Sequence, residues 1–322
     1  MHTLFLDHTP VSLAEVERLS VTTVVDNFVD SLRADEKIAT RFTHAQARRM
    51  PTLKAEHGLG HWVEVERDGD TRRIAFDFGL TGESYTHNFL ELGLDASQVD
   101  AVALSHGHMD HYGGLAGFLK TYRRRMKPTV TFYGGRDHFL PRYNERNNAR
   151  VYIGRLDRDE LERYDLDVRV VEKPTVLPEG VLLSGEMHET EPFEIIPPSL
   201  KVEREGQVVQ DSFIGEQTLV ANVRNRGLVI VTSCSHRGIV GICRHAVKAS
   251  GVPKVHAVIG GFHLSGLAGE RITQVVDAFR SFGVDYLIPQ HCTGLEAIIQ
   301  MGVHLPKELV VSSVGSTFTF RS

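Results

Sequence analysis

Four side chains able to bind a metal fall within six residues: His106, His108, Asp110 and His111, in Ser105-His106-Gly107-His108-Met109-Asp110-His111. Neutral imidazole is a borderline-soft ligand suited to zinc, and a carboxylate adds a hard oxygen. The apolar run Ala101-Val102-Ala103-Leu104 comes directly before them and reads as a buried strand. The cluster therefore sits where a strand ends and the chain turns. His106 and His108 alternate, so they share a direction if strand geometry persists. Asp110 and His111 lie past the bend and can aim at a second point. Gly113-Gly114 then frees the backbone before the helix-like stretch Leu115 to Met126. A histidine-rich surface loop is the plain alternative, but the ligand density argues for a site holding two metals.

These residues resemble the hallmark of the metallo-β-lactamase-fold hydrolase superfamily, His-x-His-x-Asp-His after a buried strand. Further matching stretches are Ile74-Ala75-Phe76-Asp77-Phe78-Gly79, Thr232-Ser233-Cys234-Ser235-His236, Gly260-Gly261-Phe262-His263-Leu264 and Pro289-Gln290-His291-Cys292-Thr293-Gly294. With Asp26-Asn27 and Glu56-His57-Gly58-Leu59 they look like the dihydropteroate-synthase-like branch. That branch includes dihydropterin-ribofuranosylaminobenzene phosphate synthase, an archaeal enzyme. The resemblance runs from about residue 22 to the C-terminus. It implies an α/β fold, the αββα sandwich of two packed mixed sheets with helices outside. It also implies one domain over 1–322, with an irregular, pocket-shaping region at about 134–215. One fold hosts many chemistries, so substrate does not follow from it.

A two-metal site needs about three protein ligands per metal plus a bridging water. His291 follows the strand-like Tyr286-Leu287-Ile288-Pro289, where the superfamily carries its last histidine, and is assigned to the second metal. Most of the superfamily ends the strand before His236 in Gly-Asp, whose aspartate bridges both metals; here Ser233-Cys234 stands there. Either Cys234 is a ligand, or it is a packed small group and His236 reaches the first metal. His236 is the preferred ligand. His263 is read as ligand, as support for a ligand, or as a general acid over the substrate, with the substrate-facing role favoured. His188 is the reserve ligand for the first metal. Asp77 resembles the structural aspartate that orients the histidine loop. Asp26, Asn27, Glu56 and His57 are candidate pocket residues, an ordinary structural role being equally open.

Composition sets limits. The 322 residues carry 41 acidic and 36 basic side chains, a formal net charge of −5. That balance leaves no electrostatic footprint for nucleic acid or an acidic membrane. Arg123-Arg124-Arg125 reads as a solvated helix end, where cations suit the dipole, rather than a phosphate clamp. Three cysteines do not make a paired framework. The N-terminus lacks a basic start and sustained apolar core, and no stretch approaches a membrane span. A cytoplasmic protein with a small-molecule substrate is expected.

Strand-like runs open the chain and later alternate with helix-like runs at Gly238 to Ala249, Arg271 to Phe282 and Leu295 to Met301, with Gly251, Gly283 and Gly302 as expected caps. Prolines at 141, 174, 178, 192, 197 and 198 punctuate the least regular part. The interval is too short for the inserted domain common in relatives that cut RNA. There is no Gly-x-Ser-x-Gly elbow, phosphate loop or dinucleotide fingerprint. The expected chemistry is therefore metal-dependent hydrolysis of a phosphoester, cyclic phosphodiester or lactone. Two divalent ions (zinc, with manganese or iron as alternatives) acidify a shared water, Asp110 orients it and His263 protonates the leaving group. A pterin/arylamine condensation and a non-catalytic metal sensor are the alternatives.

Overall fold

Period-two alternation sorts the buried side chains into layers. In the strand Gly227–Val231, Val229 and Val231 join one apolar cluster while Leu228 and Ile230 join another. A strand covered on both faces has no polar side, which is why such stretches read as continuous apolar runs.

The computed structural model describes residues 10–43, 52–188 and 190–322. The reading of the N-terminus rested on residues outside these. Early strands are β1 (Glu15–Val16), β2 (Arg18–Val25), β3 (Ala39–Thr40), β4 (Gly60–Arg67), β5 (Asp70–Phe76), β6 (Ala101–Ala103) and β7 (Val130–Gly134). The middle of the chain supplies β8 (Arg142–Arg146), β9 (Ala149–Gly154), β10 (Leu166–Val170), β11 (Thr175–Val176), β12 (Leu182–Leu183), β13 (Leu200–Arg204) and β14 (Gln207–Gln210). The last are β15 (Leu219–Val223), β16 (Gly227–Val231), β17 (Val255–Gly261), β18 (Tyr286–Gln290) and β19 (Thr317–Arg321).

One mixed sheet runs β10-β7-β6-β5-β4-β2-β19-β3, and a second runs β11-β12-β15-β16-β17-β18 with β1 beside β15. Their facing sides share one core, with Val63, Ile74 and Phe76 against Val229, Ile259 and Ile288. Helices Gly82–Glu91 and Leu115–Tyr122 cover the outer face of the first sheet through Tyr85, Phe89, Leu115 and Phe118. Ile239–Ser250, Gly269–Phe282 and Leu295–His304 cover the second. The result is the four-layered αββα sandwich of a metallo-β-lactamase fold. Among the described residues no helix is long and apolar enough to cross a membrane.

Gly251 and Gly283 close their helices in left-handed conformation (φ 70° and 60°), as expected, whereas Gly302 lies inside Leu295–His304. The helix after the histidine cluster stops at Tyr122, and Arg123–Arg125 form a 3-10 turn. Arg123 donates to the carbonyls of Tyr164, Lys127, Pro128 and Asp165, so this arginine ties the helix end to the strand entering at β10.

The region expected to be irregular, about 134–215, is so only in part: residues 190–199 carry no helix or strand, but much of the rest is sheet. Strands β14-β13-β8-β9 form a separate antiparallel sheet, and β10, β11 and β12 extend the two main ones. Its attachment is the buried Arg142 guanidinium, which donates to Asp211 Oδ2 at 2.8 Å and the Asp137 carbonyl at 2.8 Å. Removing one partner of a buried pair strands the other charge, so Arg142→Met should cost about 3–5 kcal/mol. Arg150→Met, which breaks only the exposed pair with Glu145, should cost under about 1 kcal/mol. Urea unfolding midpoints of the two variants check this difference; equal shifts would show that Arg142 does not anchor the sheet.

Candidate metal centre

Strands β5 and β6 run parallel, as do β16, β17 and β18. The chain segments leaving their C-terminal ends carry Asp77, Ser105–His111, Ser233–His236, His263 and His291, which meet at one edge of the sandwich. Outside the carboxyl ends of parallel strands is the usual place for a site in such sheets. Gly107 lets the loop pass: a Cβ there would collide with the Arg142 guanidinium and the His138 carbonyl. Asp77, Ser235, His263 and His291 all adopt positive φ, at 60°, 60°, 50° and 45°. Non-glycine residues reach this region at a cost and cluster at functional sites.

Three groups of donor atoms form among the described residues, each within 4.8 Å: His106, His108 and His236; Asp110, His111, Cys234 and His291; and, overlapping both, Cys234, His236 and His263. Cys234 and His236, weighed as alternatives from the sequence, thus both reach the cluster. Buried partners aim the imidazoles. Asp77 Oδ2 accepts from His111 Nδ1 at 2.9 Å and from the Ser105 hydroxyl at 2.7 Å. That hydroxyl, its hydrogen committed, accepts from His106 Nδ1 at 2.9 Å. Asn27 Oδ1 accepts from His291 Nδ1 at 3.0 Å. Each imidazole therefore turns its Nε2 inward, where a metal ion would take its lone pair, displacing a proton from His111. His106 Nε2 faces His236 Nε2 at 3.2 Å, His111 Nε2 faces Cys234 Sγ at 3.2 Å, and His291 Nε2 lies 3.2 Å from Asp110 Oδ2.

Electrostatics favour a cation here. Burial and the neighbouring imidazoles keep His106 and His236 well below their ordinary value, and burial brings His108 down to about 3. These rings stay neutral and keep their lone pairs. Burial opposes charge on His111 as well, yet the Asp110 and Asp77 carboxylates push it up to about 10. Asp110 is held well below the usual carboxylate range by His111 and His291 against its own burial. Burial pushes the Cys234 thiol up, so a thiolate needs a cation beside it. Inward lone pairs, an ionised carboxylate and a sulfur suit divalent metal ions.

The other expected residues fall in distinct places. Asp77 also takes hydrogen bonds from the Ser105 N–H, at 2.8 Å, and from the Ser233 hydroxyl. Asp26 Oδ1 accepts from the His291 N–H at 2.9 Å. Glu56 accepts from the N–H groups of Leu80 and Thr81 and from the Thr81 hydroxyl, so its carboxylate holds the loop and is occupied there. His57 is 68% exposed at the mouth, its Nε2 3.4 Å from Asp110 Oδ2. His263 is tilted against the His236 ring with centroids 4.4 Å apart, lines the cleft, and leaves Nδ1 without a partner. His188 belongs to none of the donor groups: it is exposed, with Glu186 3.6 Å away, at the end of a segment buried as far as Met187.

Three residues were not picked out from the sequence. Phe213 stacks on His236, centroids 4.0 Å apart and rings 16° from parallel. Glu216 accepts from the N–H groups of His236 and Arg237 at 2.9 and 2.8 Å, and burial raises it to about 7. Cys292 lines the cleft beside His291. Only Cys292 had a signal, its place inside a matching motif.

The geometry sets expectations for metal content. His291→Ala should lose about one metal per chain, the second of a two-metal site, while His263→Ala should keep nearly its full complement. Asp77→Asn should weaken metal retention about 10–100-fold, the usual effect of losing a ligand-orienting partner. Elemental analysis after graded chelator exposure reads all three; an emptied His263→Ala site would make His263 a ligand.

Residues 63–202 match the metallo-beta-lactamase superfamily. A 7,8-dihydropterin-6-methyl-4-(beta-D-ribofuranosyl)-aminobenzene-5'-phosphate synthase from Methanocaldococcus jannaschii is 32% identical over 249 residues, 76% of this chain and 83% of its own. An uncharacterized protein of that organism is 29% identical over 255 residues, 77% of this chain and 88% of its own. A solved structure described as a metal-dependent hydrolase of the beta-lactamase superfamily superposes with a TM-score of 0.72 at 23% identity, covering 94% of this chain and all (100%) of that one. With the four-layered sandwich and the histidine-rich edge, these likenesses place the chain in the metallo-beta-lactamase superfamily, within the branch that holds the dihydropterin-ribofuranosylaminobenzene phosphate synthase.

Proposed function

We propose that this chain is a two-metal hydrolase of a small-molecule ester: a phosphoester, cyclic phosphodiester or lactone. The observation that carries this reading is the pairing of two donor groups, His106/His108/His236 and Asp110/His111/His291, on the floor of one open cleft, with Cys234 beside both. Bound divalent cations would supply Lewis acidity and an acidified water. Zinc fits best, since imidazole and thiolate donors favour it over manganese.

The chain's own residues supply positioning and proton handling. Asp110 Oδ2 has His291, His57 and His111 nitrogens at 3.2, 3.4 and 3.5 Å, so it can accept a proton within the cluster and pass it to the exposed His57. His263 lines the same cleft with its ring against His236, which places an imidazole beside a bound substrate. Burial disfavours its charged form, but the Cys292 sulfur and the Glu216 and Asp110 carboxylates hold it above its ordinary value.

The likeness to the archaeal synthase favours a second reading, in which the same cleft joins a pterin to an arylamine. One experiment separates them. Metal-loaded protein is given nitrophenyl phosphodiesters and lactones, and separately a dihydropterin diphosphate with and without an arylamine. Ester turnover without any acceptor is expected. Pyrophosphate release that requires the arylamine and yields the adduct would replace hydrolysis with condensation. A metal-replete protein inert in every arm would be a sensor.

A further inference from the structure

The cleft above the metal centre encloses about 510 Å³, ample for a small molecule longer than its reacting group. Its middle is apolar, lined by Leu80, Met109, Ile153, Pro197 and Leu200. Polar side chains also come from β8 of the small sheet, a strand that carries none of the donor residues. Alternate residues of a strand share a face, so Asn144 and Arg146 point the same way, beyond the bulge that sets Arg142 apart. Along the strand exposure rises from the buried Arg142 through the half-buried Asn144 to the exposed Arg146. Asn144 and Arg146 both line the cleft.

Two features of this wall are unexplained by folding. The other basic side chains of the sheet have carboxylate partners: Arg142 with Asp211, Arg150 and Lys201 with Glu145, and Arg204 with Asp137. Arg146 has none among the described residues. Asn144 Oδ1 is buried in the wall without a hydrogen-bond donor. A buried acceptor left unpaired costs free energy, which a turn of the amide toward a ligand donor in the cleft would recover. The hairpin carrying both is well defined: Asn147 and Asn148 have positive φ (50° and 61°), the primed turn that suits a two-residue connection. Arg146 sits next to that turn, across from Ala149.

We propose that Arg146 and Asn144 are specificity-determining residues, selecting a substrate that carries an anionic group at the end remote from the reacting ester. Arg146 takes the phosphate or carboxylate through its planar fork, and the Asn144 amide, which lines the cleft beside it, hydrogen-bonds the connecting part. The substrate class is a bipolar small molecule, reactive ester at the metal floor, apolar body between, anion at the hairpin. This rests on the cleft being the reaction site but not on hydrolysis as the reaction.

Binding and turnover therefore need separate readouts. Metal-loaded protein is titrated calorimetrically with three nonhydrolysable aryl phosphonates ending in a distal phosphate, carboxylate or methyl group. At least one anionic probe should bind about tenfold tighter than the methyl probe, as expected for one charge-assisted pair at a wet rim. Arg146→Ala should bring that probe to the affinity of the methyl probe, and Arg146→Lys should keep part of the difference. The tighter of the two anions identifies the natural group. Equal binding of all three to the wild type, or discrimination that survives Arg146→Ala, would overturn the proposal. Turnover of the matching esters is scored separately: discrimination in binding with no ester cleavage sinks the hydrolase reading and leaves the recognition wall standing.

Discussion

The carboxylate of Asp77 is the point on which the metal centre depends. It is fully buried, and an ionised carboxylate there is tolerable only with its lone pairs occupied. They are: it takes hydrogen bonds from the Ser105 N–H and hydroxyl, His111 Nδ1 and the Ser233 hydroxyl. Ser105 and His111 follow β6 in the first sheet, while Ser233 follows β16 in the second. One side chain thus joins the two halves of the sandwich at the edge where the donors collect. Its positive φ turns the chain at the end of β5 so that this is geometrically achievable.

From that point order spreads outward through neighbours that touch no metal donor atom directly. Ser105 relays the Asp77 constraint to His106, and Asn27, itself fixed by the Gly58 N–H, does the same for His291. Gln290 is gripped by His61, Thr23 and Ser312, which locks the turn into His291. On the far side Phe213 and Glu216 hold His236 by ring stacking and backbone hydrogen bonds. The Phe213 and Glu216 loop is in turn secured by Arg142 through Asp211. The small sheet and the metal centre are therefore mechanically continuous: the guanidinium that anchors the sheet also limits the space at Gly107, between His106 and His108.

How far the sequence could be read follows from how local each feature is. His106, His108, Asp110 and His111 are contiguous and follow an apolar strand, so type and spacing alone announced them. The buried runs of β4, β15, β16, β17 and β18 were legible for the same reason. Allocation of Cys234 and His236 was not, since it depends on two sheets meeting at a particular depth. Glu216 and Phe213 act through a backbone acceptor and a ring face, which leave no spacing pattern. The small sheet escaped notice because β13 and β14 are short and partly exposed, with only Leu200 and Val202 buried between them, and because its charged anchor Arg142 is buried. Helix Gly82–Glu91 hid similarly, burying Asn88 alongside Tyr85 and Phe89. In contrast, Thr317–Arg321 alternates plainly as Thr-Phe-Thr-Phe-Arg, so β19 was there to be found.

The four left-handed residues at the site have an evolutionary consequence. Asp77, Ser235, His263 and His291 each hold a backbone conformation that glycine would adopt without strain. A lineage selected only for stability could drift toward glycine at His263, whose Nδ1 makes no hydrogen bond, whereas the hydrogen bonds of Asp77 and Ser235 oppose it. Each of these side chains has work at the site or beside it, so that drift would erase chemistry while improving the fold. Persistence of a non-glycine residue at position 263 in a set of homologous chains would be a signature of retained catalysis. Its replacement by glycine would mark descendants that kept the sandwich and gave up the reaction.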